Sequence, residues 1–494
     1  MIVLFMCFAL ASNVNSFAEN ALLVKVTLEK RAALLKDGYN TIYVKNKSYE
    51  LLPSYPGFKT PELSFYYDII LKNEENIEEM ISDLKATKYF ESIEIYELQY
   101  GIPYEEENIE ETMSDLKTTK YVESIDTYEQ RYSTSSCVPI PPTNDPKIVD
   151  GSVDNYALEL INARCAWNIT KGDPNIIIAI VDTDFELTHE DLKNQIVSIH
   201  GNVGSLLTED QLPHGTRVAG IAAAETNNGK GIAGIAYNSK IAGYRGNNVK
   251  AAITAAYNHG HRIINVSLRT TGFDINITAD RVALGELTKS AVLVLAAGNT
   301  PTATDHWQIA NIPGVILVSG VNEHNNANPS TAKHLRVDLC APSTHVARTD
   351  IGNTYGNGPR NGASTSSAAP LVSGTIALML SVNPNLTPAR IEEILKETAA
   401  PINDAHRYPA GVLGAGSLDA YAAVQAACAE ASVDFTNQTV TTNQDITGCN
   451  IHVQNVTVGN NNNNNAHLQL DAKGKVTING PFKVHPGASL KINK

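Results

Sequence analysis

Hydrophobic and polar positions fall into three regimes along the chain. In the middle, from about Asp150, short apolar runs alternate with helical stretches, and Ile176–Val181, Lys240–Tyr244, Ile263–Leu268, Ala291–Ala296 and Val315–Val318 have strand length. Runs that stay apolar throughout belong to strands buried on both faces, so the pattern predicts a parallel sheet covered by helices. Longer periodicities predict helices from about Ser366 to Leu380 and from Pro388 to Ala399. After Cys428 the period drops to two. Thr439-Val-Thr, Ile451-His-Val, Val456-Thr-Val and Lys475-Val-Thr-Ile alternate polar and β-branched residues, with Gly, Asn and the run Asn460–Asn465 between them. That segment reads as a small all-β module with an asparagine-rich turn.

The N-terminal regime contains a repeat. Glu74–Tyr100 and Glu106–Tyr132 align at an offset of 32 residues with 19 of 27 positions identical. Each copy has an amphipathic helical pattern followed by a strand-like tail, Tyr-Phe/Val-Glu-Ser-Ile. Two copies are too few to stack as a solenoid, so a duplication inside a small α+β unit is the simpler reading. Between Glu74 and Tyr132 there are 17 Asp/Glu against 5 Lys/Arg, which supplies most of the chain's net charge of -14. A turn-rich linker with Pro139, Pro141, Pro142 and Pro146 follows. At the other end, the apolar run Met1–Ala11 and the small and polar residues up to Ala18 read as a secretory signal peptide without a basic start. A buried strand or helix start is the other reading of that run.

At 494 residues the chain has room for about three domains. The segments expected are a signal peptide at 1–18, the acidic region at 19–140, an α/β domain at 145–426 and a β-rich module at 432–494. With 43% hydrophobic and 18% charged residues the chain can bury a large core, which excludes a mostly disordered protein. The acidic balance argues against nucleic acid as a partner. No segment beyond the first residues approaches the length of a membrane span. The six cysteines, Cys7, Cys137, Cys165, Cys340, Cys428 and Cys449, show no metal-ligand spacing. One or two disulfides are compatible with them, in a pairing that spacing does not give.

Three places in the α/β region carry candidate chemistry. Asp182 ends the first buried run, at the C-terminal end of a strand, where open α/β sheets build their sites. A carboxylate there needs a hydrogen-bond or charge partner to stay ionised. His214 opens the apolar stretch His214-Gly-Thr-Arg-Val-Ala-Gly220. Ser364-Thr-Ser-Ser-Ala-Ala-Pro370 precedes an apolar helix, where a serine gains from oriented N–H groups. Singly, these are a turn Asp, a structural His and a helix cap. Together, in the order Asp, His, Ser on an α/β background, they have the chain order of a subtilisin-type triad. On the stretches HGTRVAGIAAAETNNGKGIAGIAYNSKIAGYR and TSSAAPLVSGTIALML, the segment from about Asp145 to Ala426 resembles the subtilisin-like serine protease superfamily (peptidase S8), and within it the kexin/furin-type branch.

The resemblance implies an α/β fold, a subtilisin-like parallel sheet with helices on both faces, preceded by a small α+β propeptide and followed by a small all-β module. It implies that Asp182 orients the histidine, His214 is the general base and acid, Ser366 is the nucleophile and Asn299 is the oxyanion-hole donor. Ser366 is chosen over Ser364 and Ser367 because the pattern Thr-Ser-x-Ala-x-Pro fits Thr365, Ser366, Ala368 and Pro370. Ser267 and Leu268 match the strand that lines the substrate cleft, and His189 matches a structural histidine. Asp191 and Asn228 align with calcium positions of the kexin/furin-type enzymes, and oxygen ligands of this kind suit Ca²⁺; a capping Asp and a turn Asn are the other reading. No organic cofactor is expected. For the whole chain, the resemblance implies a secreted or cell-surface serine endopeptidase made as a zymogen. It would act on protein or peptide substrates, with the acidic region as its own intramolecular inhibitor.

Three positions depart from the family pattern. Asp-Thr-Gly is Asp182-Thr-Asp184, which adds a charge beside the triad; the Gly two before the nucleophile is Ser364; Ser-Leu-Gly-Gly is Ser267-Leu-Arg269-Thr. They motivate the alternative of a weak or inactive scaffold acting as a surface binding protein. Acidic clusters for dibasic cleavage are not evident, so convertase specificity does not carry over. The C-terminal module resembles the β-rich tails of secreted or surface-sorted bacterial proteins rather than the P domain of the kexin/furin branch.

Overall fold

The computed structural model describes residues 156–493 apart from 202–213, 246–247, 270, 275, 304–305, 307, 359–363 and 460–464; before them it describes the strands between 19 and 98, Leu84 and parts of 137–146. The chain divides into two units, Met1–Tyr100 and Gly101–Lys494. The first contains β1 (Glu19–Val26), β2 (Thr41–Val44), β3 (Lys47–Glu50), β4 (Leu52–Pro53), β5 (Tyr66–Ile70) and β6 (Phe90–Leu98). β1 pairs antiparallel with both β5 and β6, β4 extends the sheet beyond β5, and β2 and β3 form a ladder of their own. The strand-like tail of the first repeat copy is β6. The expected signal peptide, 1–18, and the second copy, 106–132, lie outside the described residues.

The second unit is built on β7 (Ile177–Asp182), β8 (Ile196–His200), β9 (Lys240–Arg245), β10 (Ile263–Val266), β11 (Val292–Ala296), β12 (Val315–Val321) and β13 (Leu339–Pro342). All pair in parallel, in the order β13-β12-β11-β10-β7-β9-β8. The five apolar runs are β7, β9, β10, β11 and β12. The edge strands β8 and β13 carry weaker signals, since β8 is only partly buried and β13 has four residues. From β7 the chain first builds one flank and then crosses back to β10, so the strand order reverses at β7/β10. That reversal opens a crevice at the C-terminal strand ends.

The helices are α1 (Tyr156–Leu160), α2 (Ala163–Ala166), α3 (His214–Ala223), α4 (Val249–Asn258), α5 (Thr278–Leu287), α6 (Thr365–Val382), α7 (Pro388–Glu397) and α8 (Ala420–Glu430). A short hairpin, β14 (Ala347–Asp350) with β15 (Thr354–Asn357), lies between β13 and α6. α7 starts where expected, because Thr387 accepts from Arg390 N and Pro388 needs no partner at the first helical position. α6 is apolar all round, and each of its 18 residues is buried. It is long and apolar enough to cross a membrane, a length not expected of any segment from the pattern, but it is wrapped in the protein core.

The C-terminal segment forms β16 (Val433–Val440), β17 (Gln444–Val458), β18 (His467–Val484) and β19 (Ser489–Asn493). The all-β expectation holds, but the pairs are parallel: Val433 lies beside Ile451, Gln444 beside Leu468 and His467 beside Ser489. Each strand thus returns the chain to the same edge, which makes a small parallel coil around Ile451, Val453, Val458, Leu468 and Leu470. A period of two reports a strand but not the direction of its neighbour. One corner is a column of left-handed residues, Asn437 (φ 56), Asn455 (φ 54) and Gly480 (φ 70), with Asn455 Nδ2 donating to Asn437 Oδ1 at 2.8 Å. The expected asparagine-rich turn, 460–465, lies outside the described residues except for Asn465. Among the described residues two disulfides form, Cys137–Cys165 and Cys428–Cys449, and Cys340 is a buried free thiol. The second bonds α8 to β17, and Lys473 Nζ on β18 donates to Ser381 O of α6.

α6 approaches α3 at Gly374, where an added Cβ would lie 2.7 Å from Ile235 Cβ and 3.0 Å from Ala222 O. Gly374→Ala gains about 1 kcal/mol of helix propensity but forces apart two close-packed elements. The β-branched Ile235 has little freedom to yield, so overpacking wins and the variant loses about 1–3 kcal/mol by urea denaturation.

Candidate active site

Asp182, the last residue of β7, is buried at 1% exposure. Its Oδ1 accepts from Thr183 N and from His214 Nδ1, both at 2.7 Å. His214, the first residue of α3, is also buried. Gly215 follows because an added Cβ would sit 2.5 Å from Asp184 O. Thr183 Oγ1 accepts from Gly215 N at 3.2 Å, which ties the start of α3 to the end of β7. The proton on Nδ1 is thereby committed to Asp182, and Nε2 is the nitrogen left to act as base.

Ser366 lies in the first turn of α6. Pro370, four residues on, has no N–H and cannot cap the Ser366 carbonyl as an ordinary helical residue would. Ser267, just past β10, supplies the donor: its Oγ donates to Ser366 O at 3.3 Å. In return the Ser366 Oγ donates to Ser267 O at 3.2 Å. No hydrogen bond joins Ser366 to His214 among the described residues. Ser364 and Ser367 pair their own hydroxyls at 2.9 Å, away from that exchange.

Asn299 follows β11. Its Oδ1 accepts from Thr365 N at 2.8 Å and Thr365 Oγ1 at 2.9 Å, and Gly298 N donates to Thr365 Oγ1 at 3.1 Å. With Oδ1 so engaged, the amide must present Nδ2 on its other side. Gly298 has φ 113, a conformation that favours glycine. Sequence reading uses Thr365 and Pro370 as motif positions but misses the hydrogen-bonding roles of Thr365, Thr183 and Ser267; the proline four residues after Ser366 is the available signal for the last.

Ser267 and Leu268 line the same place, but their side chains are buried, and Leu268 O meets His306 Nε2 at 2.8 Å. What they offer a ligand is backbone, whereas Arg269 is exposed. The added charge of Asp184 is answered: Arg245, at the end of β9, puts Nε 3.3 Å from Asp184 Oδ1. The pair is coulombic, since Arg245 Nε makes no aligned hydrogen bond. His189 is fully buried, receives Asp191 N on Nδ1 and faces Thr354 O with Nε2, which is a structural role.

Asp191 and Asn228 do come together, as hydrogen-bond partners. Asp191 Oδ1 accepts from Asn228 Nδ2 at 2.8 Å and its Oδ2 from Ile232 N at 3.1 Å. Burial pushes the Asp191 carboxyl above its ordinary value, and these bonds oppose the shift. A second buried carboxylate, Asp145, accepts from Asn227 N and Asn228 N on the same turn. Among the described residues no group of three or more His, Cys, Asp or Glu is arranged to hold a metal ion. The donor chemistry, two carboxylates and an amide, nevertheless suits a hard cation.

The Subtilase family pattern matches residues 173–444, more than half of the chain. The protein belongs to the subtilase family. It is similar to a thermophilic serine proteinase of Bacillus sp. (strain AK1), 34% identical over 49% of this chain and 61% of that one. It is 32% identical to halolysin of Haloferax mediterranei, over 57% of this chain and 54% of that one. It is 31% identical to thermitase of Thermoactinomyces vulgaris, over 57% of this chain and 99% of that one. The chain thus spans little more than half the length of the first two relatives. Nothing in these matches singles out the kexin/furin-type branch expected from the His and Ser motifs.

The Ser267–Ser366 exchange makes a specific prediction. Ser267→Ala leaves the buried Ser366 carbonyl without its donor and Asn265 Nδ2 without an acceptor, and lowers stability by about 1–3 kcal/mol in urea. Pro370→Ala restores a backbone N–H four residues on. The double variant therefore recovers the part of the loss that belongs to the Ser366 carbonyl, and additive costs in the double-mutant cycle would sink the assignment.

Proposed function

We propose that this subtilase is a secreted serine endopeptidase made as a zymogen, hydrolysing peptide bonds through an acyl-enzyme on Ser366. The observation that carries the reading is the 2.7 Å contact of Asp182 with His214, at the crevice where Ser366 and the pinned Asn299 amide also end. Ser366 Oγ bonds to the peptide carbonyl carbon while His214 Nε2 takes its proton. In that step the hydroxyl exchanges its bond to Ser267 O for one to His214. His214 then gives the proton to the leaving amine, and Asp182 offsets the imidazolium charge between the two transfers. Asn299 Nδ2, with N–H groups at the start of α6, stabilises the oxyanion. Water completes the cycle: it attacks the acyl carbon with His214 again as base, releasing the acid and the Ser366 hydroxyl.

The names of the relatives, a serine proteinase and thermitase among them, support this chemistry. Two disulfides suit an oxidising compartment and support a secreted or cell-surface location. The acidic N-terminal unit is proposed as the propeptide inhibitor, cut between Tyr132 and Val149. Calcium is proposed at Asp191 and Asn228, with Asp145 on the same turn, where it would stabilise the fold rather than take part in the reaction. The scaffold alternative loses one of its motives, because Arg245 answers the charge of Asp184.

A fluorophosphonate is expected to label Ser366, and Ser366→Ala to abolish the label; labelling of a different serine would defeat the assignment. Asp182→Asn is expected to lower kcat by about 10⁴-fold through the wrong imidazole tautomer, and Asn299→Ala by about 10²–10³-fold. If calcium is bound at about a hundred times its Kd, chelation removes about 2.7 kcal/mol of stability and lowers Tm. Asp191→Asn removes that sensitivity, and an identical wild-type Tm with and without chelator rules the calcium site out.

A further inference from the structure

Residues 327–334 lie within the connection from β12 to β13 and against the loop that carries Asn299. Ala332 N donates to Gly298 O at 3.0 Å and Lys333 N to Pro301 O at 3.2 Å, so two backbone bonds bracket Asn299. On its other side the connection is fixed to β12: Asn328 N donates to Gly320 O at 2.9 Å, and Ser319 Oγ to Ala332 O at 2.5 Å. Within it, Lys333 Nζ donates to Asn328 O at 2.7 Å and to Pro329 O and Thr331 O at 3.0 Å. The ammonium also stands 5.3 Å from the centre of the Tyr408 ring. Convergent carbonyl oxygens commonly coordinate a metal cation. Here the chain's own ammonium takes that place, and its three N–H donors meet three acceptors.

We infer that Lys333 is a positioning residue, whose ammonium ties residues 327–334 into the shape that holds the Asn299 loop in place. The catalytic consequence rests on the serine-endopeptidase reading; the structural consequence rests on the loop geometry alone.

The groups facing Lys333 are the Asp404 carboxylate, the Cys340 thiol and the Tyr408 phenol, with His334 and Arg336 on its own segment. Burial outweighs the attraction of Asp404 and draws the ammonium down to about 8, from an ordinary 10.5. A neutral amine keeps two donors and no charge, so one carbonyl is released in mildly alkaline solution. Stability moves the other way. Between these two values the unfolded chain holds more protons than the folded one, so the contribution of this lysine to global stability rises with pH. A loss of turnover without a loss of Tm is the signature of positioning.

The test compares wild type, Lys333→Arg and Lys333→Met, each purified from the full chain. It measures kcat and KM on a chromogenic peptide from about pH 6 to about pH 10, Tm in the same buffers, and amide exchange at residues 298–300 and 332–333. Wild-type kcat is expected to fall through an upper limb near pH 8 with KM level and Tm not falling. Lys333→Arg keeps a cation and loses the limb. Lys333→Met also lacks the limb, has kcat about ten- to a hundredfold lower at neutral pH, and exchanges faster at residues 332–333. The same limb in wild type and Lys333→Met, or unchanged exchange at residues 332–333, overturns the inference. A wild type that cleaves nothing refutes the endopeptidase reading instead, and the exchange comparison still decides the role of Lys333.

Discussion

The N–H that Pro370 lacks organises the site. An ordinary residue there would satisfy the Ser366 carbonyl within α6, and the helix would have no need of the sheet at that point. With proline in place, the donor has to come from outside, and Ser267 Oγ at 3.3 Å brings the end of β10 against the first turn of α6. A second strand end is tied to the same turn by Asn299 and Thr365, and β7 is tied to α3 through Thr183 and Gly215. Each strand at the crevice thus spends a polar group on the helix that carries its chemical partner. Asp182, His214 and Ser366 sit at the ends of regular elements, the arrangement that keeps such geometry tight.

What could be read before the structure was the part encoded by local pattern. The five apolar runs named five of the seven parallel strands, because a strand buried on both faces has no polar residues to dilute its signal. Asp182, His214, Ser366 and Asn299 stand out as candidates through their motifs, and the first two meet. The partners that hold them in place were not legible, since Thr365 looks like any helix-cap threonine and Ser267 like any residue at a strand end. Their roles depend on which strand end faces which helix, a non-local fact. The same limit applies to the tail, where alternation announced strands but the parallel coil depends on residues about twenty positions apart lying side by side.

The departures from the family pattern follow a related logic. Asp184 looked like an uncompensated charge beside the triad until β9 brought Arg245 to it. Ser364, in place of a glycine, has its hydroxyl taken by Ser367 rather than by the site. In both cases the substituted residue comes with a partner distant in sequence or one helical turn away. A single position judged alone overstates the disturbance.

The disulfide between Cys428 and Cys449 gives the tail a mechanical character. The bridge leaves α8 near its last turn and enters the second strand of the coil, so β16 lies inside the loop that the bridge closes. Tension applied along the tail passes through sulfur into α8 and the core around it, bypassing β16 and its ladder. Without the bridge the same pull falls on hydrogen bonds: the ladder of β16 with β17, the contact of Lys473 with α6, Cys449 N with Ala431 O, and Asn450 with Cys428 O and Ser432 Oγ. One covalent bond therefore makes the coil a handle on the α/β domain, where hydrogen bonds alone would leave it a reversible attachment.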